Sequence, residues 1–518
     1  MAGTRRLPRS TPESHGVSID HITAFLDDVE RSGLELHSLM VLRHGSVVSE
    51  GWWHPYRAEV VHELYSLSKS FTATAVGFAQ AEGLLDVDDL VLDHLGDLAP
   101  QAPAEHLTTM RLRHLLTMTT GHDQDPTDRV FSSQDWERTF LALPVEHEPG
   151  THFVYNTAAT YLLSAIVQWR TGQRLLDYLG PRLLDPLGIR GAVWAQSPTG
   201  VDEGGTGLSV TTEDIACFGQ LYLDDGMWGG RRVLPEGWVE QATILQVPSV
   251  HDEVDWRQGY GYQFWRCRHG AYRADGAFGQ FCVVMPEQAA VVAITAGTPD
   301  MQGVLDRVWT HLLPAMGAPV DPREGHGAQH GSGDGAPQAN LTDRLGALRL
   351  RPPVVAHTGS GRPPMDLTGR TVTLPAADAT GQGRATIDAA GPAVALRLIA
   401  GVDSVTIGET DAFGVPTSVT LRSGDYAETV FVGADEWALG MTRMGDRPTP
   451  GAGLGRPIAA AAAWTAPDSC TAQIRWYDTP YCLTIAGSID GDRVTIRPRL
   501  NVSFGPTELE PIEARLEG

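Results

Sequence analysis

Lysine is all but missing from this 518-residue chain: of 39 Lys and Arg residues only Lys69 is a lysine, and the rest are arginines. Arginine keeps its proton under working conditions, whereas a lysine amine gives it up when desolvated or set beside another cation. A lone lysine in a chain that otherwise uses arginine suggests a task for which guanidinium fails. Compositional drift is the plain alternative, but drift has no reason to leave its survivor three residues after a serine, Ser66. Positive charge as a whole is scarce. With 63 acidic residues the formal charge is −24, and such a surface repels phosphate backbones and anionic lipid. Nucleic acid and membranes are therefore poor partners, and a small molecule is the better expectation.

Long apolar runs are absent too. No stretch of about 18 apolar residues occurs, and the basic Met1–Arg9 leads into polar Ser10–Ser18 rather than an apolar segment before a cleavage site. Ala459–Ala463 is far too short to span a bilayer, so a cytoplasmic protein is expected. Five cysteines (Cys217, Cys267, Cys282, Cys470 and Cys482) form no C-x-x-C pair and are odd in number, which reads as buried thiols. HExxH, GxSxG and a phosphate-cradling glycine loop are missing, and the histidine spacing offers no metal site. Neither metal nor cofactor is expected. No feature of the sequence bears on oligomeric state.

What is present falls into three stretches. A helix opens at Ser18 with Ile19, Ile22, Phe25, Leu26 and Val29 on one face. A hairpin follows, Ser38–Arg43 and Ser46–Trp53 about His44-Gly45. Helices are predicted for Ser66–Glu82, Leu112–Met118, Ala158–Gln168, Asp214–Leu223 and Glu236–Thr243. Strands are predicted for Gly261–Cys267, Gln280–Met285 and Ala289–Thr295, with a closing helix at Met301–Leu313. This first domain spans 1–316. Residues 317–344 are Gly- and Pro-rich and read as a linker. From 345 to 518 short period-2 runs recur without helices: Thr371–Leu374, Ala393–Leu398, Ser404–Ile407, Ser418–Leu421, Thr429–Val432, Gln473–Tyr477, Leu483–Ile485 and Arg493–Ile496. That pattern predicts an all-β antiparallel barrel or sandwich.

Ser66-Leu67-Ser68-Lys69 places a serine and the lone lysine at i and i+3 on one helical face, so the amine can reach the hydroxyl. The start of a helix adds unpaired backbone N–H groups and a positive field, which favour charge developing on Ser66 and a neutral Lys69. Ser68, next to Lys69 in sequence, points elsewhere. A second element, Pro149–Thr157, runs into the apolar helix Ala158–Gln168 and carries Tyr155 on the loop before it. Close to an ammonium a phenol pKa falls, which would make Tyr155 a usable base; alone, an ordinary half-buried aromatic is the better reading. His122-Asp123 reads as a turn-end cap that could line a cleft, Trp52, Trp53 and Tyr56 as an apolar wall or plain packing, and Tyr260-Gly261-Tyr262 as a pocket border.

Together these segments resemble the serine beta-lactamase and penicillin-binding-protein superfamily, in its class C beta-lactamase, carboxylesterase and D-aminopeptidase branch. The resemblance covers about residues 10–315: Ser66–Thr72 is similar to the nucleophile box, Arg113–Gly121 to the following helix and turn, and Pro149–Leu163 to the tyrosine box. It implies an α/β fold, an antiparallel sheet flanked by helices plus an all-helical subdomain, with Ser66, Lys69 and Tyr155 catalytic. Family members commonly carry Asn two residues after this tyrosine; here Thr157 stands there and Asn156 lies one place earlier, so both are candidate substrate-binding residues. For the third box, His357-Thr358-Gly359 leads into no strand, and Ala274-Asp275-Gly276-Ala277-Phe278 is the better match. Ala274 then replaces the usual Lys or His. The backbone N–H groups of Ser66 and Ala277 would form the oxyanion hole, and Asp275, Gly276 and Phe278 would meet the substrate. Loss of the cation argues against beta-lactams and D-Ala-D-Ala peptides, whose carboxylate it receives. Residues 345–518 resemble the lipocalin-like barrel appended to some members, through Asp478–Tyr481 and Asn501–Pro506. The expectation is a serine hydrolase of a carboxylic ester or small amide acting through an acyl-Ser66 intermediate. A D-amino-acid amidase, a weak beta-lactamase, or a catalytically weak binding member are the alternatives.

Overall fold

The computed structural model describes residues 7–317, 335–354, 367–375, 402–411, 415–443 and 455–518. These residues divide into two compact units. The first runs to Leu348, and the second comprises His54–Tyr56 and Arg349–Gly518. Among the described residues no helix is long and apolar enough to cross a membrane.

The first unit is an α/β domain. Its helices include α1 (Ile19–Ser32), α2 (Ser68–Ala81), α3 (Thr157–Thr171), α4 (Thr212–Leu223), α5 (Met301–Arg307) and α6 (Gly335–Gly346). Its main sheet holds β1 (Leu36–Arg43), β2 (Ser46–Trp52), β3 (Trp265–Arg266), β4 (Tyr272–Gly276), β5 (Gln280–Met285) and β6 (Ala290–Ala296). The strand order is β2-β1-β6-β5-β4-β3, with every ladder antiparallel. β1, β5 and β6 are buried at every residue, which is why their sequences are largely apolar rather than alternating, with His37, Ser38, Arg43, Gln280 and Thr295 as buried polar exceptions. α4 packs on β1, β5 and β6, so closely that a Cβ on Gly219 would come 2.6 Å from Cys282 Sγ.

The termini of α1 follow from the sequence: the Ser18 hydroxyl caps its start by accepting from the His21 N–H, and Gly33 at φ 67° ends it. The strand expected over Gly261–Cys267 is reduced to the two residues of β3. Gly261 N donates to the Phe264 carbonyl at 2.8 Å, and Gln263 has φ 63°, so this segment turns sharply before it can pair. The linker expected over 317–344 is also corrected, because its end forms α6 within the first unit. Leu341, Leu345 and Leu348 recur at helical spacing, and Leu341 and Leu348 are buried. Leu348 Cδ1 lies where a side chain on Gly51 would fall, 2.7 Å from such a Cβ, and Arg344 Nη2 pairs with Glu30 at 2.6 Å.

The second unit is a nearly closed, all-antiparallel barrel of ten described strands. Thr371–Thr373, Ser404–Ile407, Ser418–Ser423 and Tyr426–Phe431 form one meander. Ala438–Thr442, Arg456–Ala466, Ser469–Trp476, Cys482–Asp490, Arg493–Leu500 and Ile512–Glu517 form the other, and Val372 opposite Leu516 joins them. The interior is aliphatic, with Ile407, Leu421, Val430 and Val494 buried. Arg456–Ala466 escapes a propensity reading because alanine is a poor strand former; here small side chains suit a buried face. The strand expected at Ala393–Leu398 and the rival box His357-Thr358-Gly359 lie outside the described residues.

Candidate active site

Tyr65–Leu67 forms a single 3-10 turn that runs directly into α2. Ser66 thus stands one turn ahead of Lys69, and Lys69 Nζ lies 2.9 Å from Ser66 Oγ. Lys69 as a whole is 1% exposed. Its other neighbours are Thr157 Oγ1 at 3.0 Å and the Gly205 carbonyl at 2.7 Å. Burial pulls the Lys69 pKa from 10.5 down to about 7, against the charges of Asp125 and Asp275, which hold it up. A neutral amine has two N–H groups and one lone pair. The Gly205 carbonyl can only accept, so it fixes one N–H. Thr157 Oγ1 takes the other, and the lone pair is left for the Ser66 proton.

The Gly205 carbonyl escaped sequence reasoning. A Cβ on Gly205 would lie 2.7 Å from the Thr157 carbonyl, so only glycine lets this loop approach α3 so closely. Thr72 Oγ1 anchors the loop by donating to the Gly204 carbonyl at 2.7 Å. The available signal was the Gly204-Gly205 pair just ahead of the short strand Leu208–Val210. Asp125 was missed as well; its carboxylate accepts from Thr127 N at 3.0 Å and from Thr127 Oγ1 at 2.5 Å.

Tyr155 is half-buried beside Ser66, and Lys69 Nζ lies 5.0 Å from its ring centroid. Trp265 stacks on the ring at 5.5 Å, and Tyr260 meets it edge-on at 6.1 Å. The expected lowering of the phenol pKa is overturned: burial first, then the Asp275 charge, push it well above its ordinary 10.0. The cation that was to lower it, Lys69, has its own pKa pulled down to about 7 and is only about half charged at neutral pH.

The two residues after Tyr155 take different places. Thr157 faces the amine. Asn156 is fully buried, and its side chain caps α3 by accepting from Ala159 N at 3.1 Å. Expected to meet substrate, Asn156 instead holds the helix start. Tyr56 belongs to the barrel unit, where its hydroxyl donates to the Thr479 carbonyl at 3.1 Å.

The backbone of β4 touches the nucleophile turn. A Cβ on Gly276 would come 1.9 Å from the Leu64 carbonyl oxygen and 3.1 Å from Leu67 N, and Ala277 follows immediately. Tyr65 at φ 50° and Phe278 at φ 67° are both left-handed, which is rare for aromatic residues. One precedes Ser66 and the other follows Ala277. Their buried rings meet edge to face at 5.4 Å, so packing holds both strained backbones. The Phe278 ring is thus occupied with Tyr65.

Strand alternation sets Arg273 and Asp275 on one face of β4, while Ala274 joins the hydrophobic core. Fully buried Arg273 donates from Nε to Asp275 Oδ2 at 2.8 Å and from Nη1 to the Asp255 carbonyl at 3.1 Å. Its guanidinium lies 4.3 Å from the Trp256 ring centroid, and Nη2 has no hydrogen-bond partner among the described residues. The expectation that this segment lacks a cation is therefore revised. A cation stands one residue ahead of Ala274 and is tied into an ion pair. Burial raises the Asp275 pKa, although Arg273 and a hydrogen bond from Trp265 oppose this.

The beta-lactamase family model matches residues 20–361. The 6-aminohexanoate-dimer hydrolase of Paenarthrobacter ureafaciens is 28% identical over 327 residues, covering 58% of this chain and 82% of the relative. Among solved structures, D-amino acid amidase from Ochrobactrum anthropi SV3 shares 18% identity at a TM-score of 0.46, covering 57% of this chain and 97% of its own. EstCE1, described as a hydrolase with promiscuous acyltransferase activity, shares 17% at a TM-score of 0.48, covering 57% and 99%. The family match spans well over half of the sequence and contains the serine, the lone lysine and the tyrosine. The chain belongs to the beta-lactamase family, within the beta-lactamase-like serine hydrolase superfamily.

Proposed function

We propose that this protein hydrolyses a carboxylic ester or small amide through an acyl-Ser66 intermediate. The observation that carries the reading is the amine of Lys69, 2.9 Å from Ser66 Oγ with a pKa near 7. Neutral Lys69 takes the Ser66 proton as Oγ bonds to the substrate carbonyl carbon. The carbonyl oxygen becomes an oxyanion held by the N–H groups of Ser66 and Ala277. Tyr155, protonated across the working pH range, passes a proton to the leaving alcohol or amine and is reprotonated from Lys69 as the carbonyl reforms. Water then attacks the acyl-enzyme, its proton passing to the same amine, and Ser66 leaves with a proton.

The Arg273–Asp275 pair bears on substrate choice. With its charge matched by Asp275, Arg273 offers no free cation to a substrate carboxylate. That favours neutral acyl groups over beta-lactams and D-Ala-D-Ala peptides. Of the two substrate classes, ester and small amide, the small amide is the one supported by the relative named for hydrolysis of a 6-aminohexanoate dimer.

Labelling with a fluorophosphonate and mapping the adduct tests the reading. We expect the adduct on Ser66 and none in Ser66→Ala. An unlabelled wild-type Ser66 would favour a binding role without turnover. Aryl esters, D-amino-acid amides and a chromogenic cephalosporin, compared by kcat/KM, then rank the substrate classes, with the cephalosporin expected last.

A further inference from the structure

Asp123, His147 and His152 come from two separate loops, yet their ligand atoms all lie within 4.8 Å of one another. Sequence spacing offered no metal site because the carboxylate and the imidazoles are more than twenty residues apart. Backbone contacts hold the two loops side by side: Val154 N donates to the Met118 carbonyl at 2.9 Å, Gly150 N to Thr119 at 2.8 Å and His147 N to Gly121 at 2.8 Å. Gly121, at φ 89°, is needed for that approach, since a Cβ there would come 2.3 Å from the His147 carbonyl oxygen. The frame is therefore set by main chain, and the three side chains project from it.

Within the frame His147 Nε2 lies 3.0 Å from Asp123 Oδ1, and the His147 and His152 rings lie 4.4 Å apart. Both imidazoles are half-buried and Asp123 is exposed, so a small ion can enter from solvent. Exposed Glu146 and Glu148 flank His147, and Glu146 accepts from Asp123 N at 3.2 Å. The local charge thus favours a cation. Two imidazole nitrogens and one carboxylate are the donor set of a first-row divalent metal, foremost Zn2+, and too soft for Mg2+ or Ca2+. Ligand atoms in a tetrahedral Zn2+ site sit about 3.3 Å apart by the usual bond lengths, so small side-chain rotations close the set.

We infer that Asp123, His147 and His152 bind one Zn2+-class ion, with water as the fourth ligand, and that the ion clamps the loop leading into Tyr155 to the loop after Met118. Ion binding here is testable without any substrate.

The test is Zn2+ titration by calorimetry into untagged, chelator-treated protein, with Co2+ spectra as a second readout. Wild type should take up one equivalent, show the intense visible bands of four-coordinate Co2+, and melt at a higher temperature with Zn2+ than without. His147→Ala and His152→Ala should each weaken binding about tenfold or more and lose those bands, and Asp123→Asn should weaken it too. The metal-free melting temperature checks that each variant is folded; if one histidine variant fails this check, the other and Asp123→Asn still decide. Absence of saturable uptake by wild type, or uptake unchanged in the folded variants, overturns the assignment.

Discussion

Thr157 Oγ1 accepts a hydrogen bond from Lys69 Nζ at 3.0 Å, two residues past Tyr155. In the proposed mechanism this hydroxyl orients the amine so that its lone pair meets Ser66. The contact predicts a specific loss. Thr157→Val keeps the shape and removes the acceptor, which at about 0.5–1.5 kcal/mol for one hydrogen bond corresponds to a two- to tenfold drop in kcat/KM. Because the hydroxyl also accepts from the ammonium form, its removal should move the acid limb of the pH profile to lower pH. Aryl-ester kinetics from pH 5 to 10 read both effects; an unchanged profile would remove Thr157 from the mechanism.

The base must be unprotonated to act. With Lys69 near pKa 7, kcat/KM should rise through about pH 7. Tyr155, held well above its ordinary value by burial and Asp275, should add no descending limb up to about pH 10. Asp275 holds the Lys69 pKa up, so Asp275→Asn should shift the rising limb downward. That variant also strips buried Arg273 of its counter-charge, at a cost of about 3–5 kcal/mol in stability, so it should be assayed well below its melting temperature. A limb that stays in place would show that Asp275 does not act on the amine.

The sequence exposed the parts of the site that are local and hid the parts that are not. Ser66 and Lys69 lie one helical turn apart, so i, i+3 spacing alone brings them together. Central strands such as β5 were legible because a doubly covered strand is apolar along most of its length. The Gly205 carbonyl carries no side-chain signature, and the Arg273–Asp275 pair showed itself only once strand alternation sent Ala274 into the core. The same limit explains the phenol: its neighbours in sequence could not reveal that Trp265, Tyr260 and Asp275 enclose it and keep it protonated.

Gly276 predicts a stability effect that doubles as a test of the site's backbone geometry. A methyl group there would sit 1.9 Å from the Leu64 carbonyl oxygen, and backbone on both sides leaves no flexible side chain to give way. Gly276→Ala should therefore push β4 off the nucleophile turn. About 1–3 kcal/mol of destabilisation is expected from the overpacking, together with a loss in kcat well beyond that of Thr157→Val, because the Ala277 N–H moves with the strand. Urea unfolding and ester kinetics on the same sample check it; wild-type turnover in a stable Gly276→Ala protein would exclude β4 from the oxyanion site.

Lys69 itself predicts how stability changes with pH. Its folded pKa, about 7, lies below the 10.5 of an unperturbed lysine, so between those values the unfolded chain binds the extra proton. Stability contributed by this group therefore rises with pH across that window and is at its lowest below pH 7. The full difference corresponds to ~5 kcal/mol, order of magnitude, at 1.36 kcal/mol per pH unit. Lys69→Met has no such term. Its unfolding free energy relative to wild type should fall steadily as pH is raised from 7 to 9.5, by several kcal/mol, whatever the packing difference between the two side chains. Groups that titrate alike in both proteins cancel from the comparison. Urea midpoints measured at half-unit steps give the slope directly. A flat difference would mean that the amine keeps its proton in the folded protein, and a protonated amine cannot take the proton from Ser66.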